Sequence, residues 1–86
     1  MFIELPIGYY RKDAIIGITK FDTVKEGGLF SDDEEYYWIS ILFSDGGENQ
    51  THFGDDEEKR NTIYKKCIEI LKNANIDITT SNEDEN

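Results

Sequence analysis

The stretch Tyr36-Tyr37-Trp38-Ile39-Ser40-Ile41-Leu42-Phe43, followed at once by Ser44-Asp45-Gly46-Gly47, decides how this chain folds. Its apolar residues recur with period two. Tyr37, Ile39, Ile41 and Phe43 fall on one face of a strand, and Tyr36, Trp38, Ser40 and Leu42 on the other. The second face is too apolar to be simply solvated. The tetrapeptide after the strand supplies residues that tolerate positive φ, as a tight hairpin connection requires, so Glu48 to Phe53 is expected to return antiparallel.

Downstream, Asp55 and Glu58 stand at capping-box spacing, and Asp55, Asp56, Glu57 and Glu58 put four acids where a helix dipole favours them. Ile63, Tyr64, Cys67, Ile68, Ile70, Leu71 and Ala74 then form a stripe at helical spacing. Lys65, Lys66 and Lys72 complete the charge gradient, and the helix is expected to run to about Asn73. Ile76 and Ile78 alternate with Asp77 and Thr79, which fits a short edge strand or a docked extension. Residues 80–86 are polar and acidic, a composition expected to fray.

Upstream, Phe2 to Leu5 reads as a first strand that Pro6 and Gly8 end or bend, with Tyr9 and Tyr10 resuming it. Ala14 to Val24 is rich in β-branched residues and reads as a second strand. There Ile16 and Ile18 are expected on one face and Ile15 and Phe21 on the other, with Gly17 permitting a bulge. Lys25 to Glu35 combines Gly27-Gly28, Ser31 and four consecutive acids, the composition of an exposed loop.

These elements predict an α+β fold: an antiparallel sheet of about four strands with one long C-terminal helix packed on one face. A single domain over 1–79 precedes a flexible acidic tail at 80–86. The expected core is Ile16, Ile18, Ile39, Ile41, Phe43, Ile63, Cys67, Ile70 and Leu71. Trp38 and Leu42 would remain on the far face, where a homodimer or a partner surface would cover them. A chain of 86 residues has room for one domain with a marginal core, so pairing would also help stability.

The net charge of -10 is local rather than uniform. Asp32–Glu35, Asp55–Glu58 and Glu83–Glu85 hold eleven of the nineteen acidic residues, leaving eight acids against nine Lys and Arg elsewhere. Such a balance argues against direct binding of nucleic acid or an anionic membrane, both of which reward clustered Lys and Arg. A basic protein surface is the expected partner. The N-terminus has neither a positive leader nor a long apolar stretch, and a single Cys67 cannot form an internal disulfide, so a cytoplasmic protein is expected.

Of the acidic runs, Asp55–Glu58 is accounted for by the helix it opens and Glu83–Glu85 by the tail. Asp32, Asp33, Glu34 and Glu35 have no such local reason and lead directly into Tyr36 and Trp38, joining charge to residues that carry interface energy. These six are the expected partner-binding residues. Contiguous acids diverge in an extended chain, so no metal site is expected. Cys67 sits on the apolar stripe as a small hydrophobe and His52 on a hairpin strand without an orienting group, so no enzyme and no cofactor are expected. A second candidate ligand site is basic: Tyr9, Tyr10, Arg11, Lys12 and Lys20, which could hold a nucleotide phosphate and stack its base in an oligomeric, nucleotide-sequestering protein.

The strand, Asp45-Gly46 turn, strand and helix order of Tyr37 to Leu71 resembles the FlbD-like small proteins, over less than half of the chain. In size, acidic balance and absence of catalytic motifs the whole chain resembles small phage-encoded anti-defence proteins of the anti-CRISPR type. That class-level resemblance implies an inhibitor that occupies a nucleic-acid-binding surface of its target.

Overall fold

The two-residue period around Trp38 is realised as the middle strand of an antiparallel sheet. A computed structural model describes residues 1–76 and 78–80. In chain order the elements are β1 (Phe2–Leu5), β2 (Gly8–Arg11), a short 3₁₀ turn (Lys12–Ala14), β3 (Ile15–Lys25), β4 (Glu34–Phe43), β5 (Glu48–His52), α1 (Glu57–Asn73) and the two-residue β6 (Thr79–Thr80). The architecture is α+β. β5, β4 and β3 form the antiparallel sheet in that order, and β6 runs parallel to β3 beyond it, pairing Thr79 with Gly17 and Thr80 with Ile18. Apart from Thr80, the acidic segment expected as a tail lies outside the described residues, as does Asp77.

The first two strands do not join this sheet. β1 and β2 pair with each other as a separate hairpin, Leu5 opposite Gly8 and Phe2 opposite Arg11. Pro6 and Ile7 make its turn, and Lys12 N–H closes its open end on the Met1 carbonyl at 2.9 Å. Leu5 and Tyr10 from this hairpin are buried in the main core. Its inner face therefore caps one end of the cluster beneath the helix instead of adding a sheet strand.

Pairing between β3 and β4 runs from Ile15 opposite Phe43 to Lys25 opposite Glu34, with a register shift between Ile15 and Gly17. The inserted residue is Ile16. A bulge lets two residues face one partner, so Ile15 and Ile18 both reach the core while Ile16 turns outward and is 48% exposed. The expected core position of Ile16 is thereby corrected. Strict alternation through Gly17 would have placed it inside.

The β4–β5 connection follows the sequence closely. Gly46 N–H bonds the Phe43 carbonyl at 3.0 Å and Phe43 N–H bonds Gly47 O at 2.9 Å. Gly46 has φ +91°, which is where a side chain would be strained. Asp45 Oδ1 accepts from Gly47 N–H at 2.8 Å, fixing the turn from within.

α1 is capped by Asp56, whose Oδ1 accepts from Lys59 N–H at 3.0 Å, with Glu57 and Glu58 in the first turn. At the other end Asn75 adopts φ +60°, Asn75 N–H bonds Lys72 O and Ile76 N–H bonds Leu71 O, both at 3.0 Å. This is a Schellman closure with Asn in the left-handed position. Tyr64, Cys67 and Leu71 from the helix stripe meet Ile18, Ile39 and Ile41, and Ile39, Ile41, Cys67 and Leu71 are fully excluded from solvent.

One charged residue joins this interior. Arg60 is 2% exposed; its guanidinium pairs with Asp22 Oδ1 at 2.8 Å, donates to the Phe21 carbonyl and to Asn61 Oδ1, and lies 5.1 Å from the Tyr37 ring centroid. The first turn of α1 is thus tied to β3 and β4 by a fork of directional bonds. Nearby, the Lys20 ammonium lies 5.4 Å from the Tyr64 ring centroid.

Three outcomes are expected. Ile41→Ala should lower unfolding free energy in urea by about 2–5 kcal/mol, and Arg60→Ala by about 2–3 kcal/mol through lost charge-assisted hydrogen bonds. Burial pushes the Cys67 thiol up to about 11 from its ordinary 9.0. The unfolded thiol ionises first, so this contribution to stability is complete below pH 9 and fades as pH rises through the folded value. Alkaline urea titrations of the native protein should show that loss, and Cys67→Ala should remove its share.

Candidate functional site

The strands β3 and β4 continue past the helix-covered region, so that the acidic run expected in a loop is partly in the sheet. Glu34 and Glu35 lie in β4 opposite Lys25 and Val24, and only residues 26–33 connect the arms. Opposite charges at the Lys25–Glu34 pair favour that extension. The carboxylates are also held locally: the Tyr36 hydroxyl donates to Glu34 Oε1 and the Tyr37 hydroxyl to Glu35 Oε1. Asp33 Oδ1 accepts from Gly27 N–H at 3.0 Å across the connection. At its tip, Leu29 and Phe30 are 93% and 96% exposed.

On the far face of the sheet, register aligns one aromatic residue from each strand. Phe21 stands opposite Trp38 and Trp38 opposite His52. The Phe21 and Trp38 rings stack with centroids 4.2 Å apart, and the Trp38 and His52 rings at 5.3 Å. Trp38 Nε1–H donates to Thr23 Oγ1 at 3.0 Å, which fixes the indole in this ladder. Thr23, Tyr36, Trp38, His52 and Gly54 line an open depression of about 320 Å³.

A second depression, of about 510 Å³, adjoins it and is lined by Asp33, Glu34, Glu35, Tyr36, Gly54 and Asp55. The two share Tyr36 and Gly54. Asp33, Glu34 and Glu35 therefore meet Asp55, from a run that begins after nineteen intervening residues of chain, at one end of the molecule beside the aromatic ladder. Their combined field acts on the tyrosines. The hydrogen bond to Glu34, with the charges of Glu34 and Asp55, raises the Tyr36 phenol above its ordinary value. The hydrogen bond to Glu35, with Glu35, Glu57 and Asp22, pushes Tyr37 up to about 12. Each phenol keeps its proton and remains a donor to its carboxylate.

Of the six expected partner-binding residues, Asp33, Glu34, Glu35 and Tyr36 line the acidic depression, Tyr36 and Trp38 line the aromatic one, and Asp32 sits in the connection beside Gly27, Gly28 and Ser31. Phe21, Thr23, His52 and Asp55 belong to the same region; alternation gave the facing of Phe21, and none of the four is marked as a site residue by sequence alone. Alternation from Ile18 puts Phe21 on the far face, but its stacking on Trp38 depends on the pairing register of β3 with β4. Asp56, next in the chain, performs the capping, and Asp55 is left lining the cleft.

The second candidate set is dispersed. Tyr10 is buried in the core, where its hydroxyl donates to Ile7 O and accepts from Asn49 Nδ2–H. Tyr9 is exposed and stacks on Phe2 with centroids 5.2 Å apart, and Arg11 faces Asp13 at 3.9 Å. Lys12 lines a cleft with Met1, Asp13, Ile15, Asn75 and Ile76, while Lys20 points to Tyr64 under the helix. Cys67 lies in the core on the helix side of the sheet and His52 on the opposite face, so the sheet separates them.

Among the described residues, no three His, Cys, Asp or Glu side chains are arranged to hold a metal ion, and no helix is long and apolar enough to cross a membrane. Comparisons with protein-family models, with curated proteins and with solved structures found no match to this chain. The geometry itself defines a small α+β protein that presents an acidic cleft contiguous with an aromatic one.

Because Leu29 and Phe30 lean on nothing in the fold, Leu29→Ser with Phe30→Ser should change urea stability by no more than about 0.5 kcal/mol. A larger loss would show that the tip packs on the domain.

Proposed function

We propose that this chain is a non-enzymatic binding protein, an inhibitor whose acidic end occupies a basic, nucleic-acid-binding surface of another protein. One observation carries the reading: Asp33, Glu34 and Glu35 from the first run and Asp55 from the second line one cleft, which shares Tyr36 and Gly54 with the aromatic depression. An Arg or Lys side chain entering there meets carboxylates for its charge and the Tyr36 and Trp38 rings for its stem or guanidinium plane. Long-range attraction by the acidic end speeds the encounter, and the aromatic contacts slow dissociation. Leu29 and Phe30, displayed at the tip of the same hairpin, add an apolar anchor.

The class-level resemblance to anti-defence inhibitors supports a nucleic-acid-processing protein as the target, and a cytoplasmic setting suits the free Cys67. The test begins with affinity purification from the native host, with the captured partner identified by mass spectrometry and its binding kinetics then measured. Asp33, Glu34, Glu35 and Asp56 also hold local hydrogen bonds, so the cleaner reversal is Asp32→Lys with Asp55→Lys. Association should slow by about tenfold or more at low salt and much less at high salt. An unchanged association rate would overturn the proposal.

A further inference from the structure

The outer edge of β5 carries a self-complementary pattern, and we infer that two copies of this chain pair through it, antiparallel, about a two-fold axis at Gln50. Among the described residues β5 has no neighbour on its outer side, being the first strand in the order β5-β4-β3-β6. Which of its peptide groups face outward follows from the bonds that flank the β4–β5 ladder. Phe43 N–H bonds Gly47 O and Phe53 N–H bonds Tyr37 O, both at 2.9 Å. With Ile41 opposite Asn49 and Ile39 opposite Thr51, those odd-numbered positions direct their N–H and C=O groups inward to β4. Glu48, Gln50 and His52 therefore direct theirs to the open edge.

A two-fold axis at Gln50 sets Gln50 opposite Gln50 of the second copy, and Glu48 opposite His52 in both directions. All three positions are then of the hydrogen-bonded type, so the outward N–H and C=O groups of both copies are satisfied together. The side chains match as well. Glu48, Gln50 and His52 share the far face, so a carboxylate faces an imidazole twice and an amide faces an amide once. A slip of one residue would set inward-bonding positions of one copy against outward-bonding positions of the other. A slip of two would set Gln50 against Glu48 in one direction or against His52 in the other, leaving the remaining end residue of both copies past the pairing.

Charge supports the same arrangement. β5 runs from the Asp45-Gly46 turn towards the acidic end, so antiparallel pairing places the two acidic clefts at opposite ends of the dimer. The repulsion inherent in a chain of net charge -10 is thereby kept small. The aromatic ladder ends at His52, so each ladder would abut the Glu48 of its partner and the sheet would continue unbroken across both copies.

Sedimentation velocity over about a hundredfold range of concentration should show a monomer passing to a dimer. Amide exchange at Glu48, Gln50 and His52 should slow with rising concentration, while Asn49 and Thr51 stay protected throughout. Gln50→Pro removes an outward N–H without touching the β4 ladder, a position where an edge strand accepts proline, and should leave a folded monomer. His52→Glu should also give the monomer, and the exchange Glu48→His with His52→Glu should restore the dimer. If Gln50→Pro does not fold, the His52 pair and the amide pattern decide. A wild-type monomer at every concentration would overturn the inference, as would a dimer that survives His52→Glu or leaves the Glu48, Gln50 and His52 amides unchanged.

Discussion

The rest of this structure depends on β4 being apolar on both faces while only one helix is present to cover it. Ile39 and Ile41 are completely buried against Cys67 and Leu71, so α1 can lie on one side only. The alternate residues are thereby committed to the opposite face, Trp38 among them. Phe21 and His52 flank the indole from the neighbouring strands and shield it in part. What could have been a solvent-facing surface becomes an aromatic ladder that is covered edge to edge but open above.

A buried cation sets where the helix begins relative to that sheet. Arg60 inserts its guanidinium between Asp22, the Phe21 carbonyl and the Tyr37 ring. Asp55 and Asp56, a few residues earlier, are then fixed at the same end as Glu34 and Glu35. Fixing the helix start fixes the second acidic run against the first. The electrostatic character of the cleft is thus a consequence of packing, since neither run alone is more than a local concentration of charge.

The elements that sequence reading recovered are those governed by local rules. The β4–β5 hairpin follows from a period-two pattern and a Gly that takes φ +91°, and α1 follows from acids at its start and an apolar stripe. Errors arose where the outcome depended on distant partners. The facing of Ile15 and Ile16 was decided by one inserted residue between Ile15 and Gly17, which reverses them relative to Ile18 while the later side chains of β3 keep their alternation. β1 and β2 satisfied their backbone groups with each other, so Tyr10 became core instead of a ring free to stack on a ligand. Arg60 gave no signal because a lone Arg in a helix is ordinarily solvated, and only the Asp22–Phe21–Tyr37 surroundings make its burial favourable.

By itself the sequence determined the α+β composition, the central strand with its hairpin and the extent of the long helix. Each of these rests on the period of apolar residues or on turn and capping chemistry acting over a few positions. The tertiary structure alone decided that the runs at 32–35 and 55–58 meet, that Phe21, Trp38 and His52 stack in one ladder, and that the open edge of β5 presents Glu48, Gln50 and His52. Those outcomes depend on register between strands and on the seating of one helix, which are set by pairings between residues far apart in the chain.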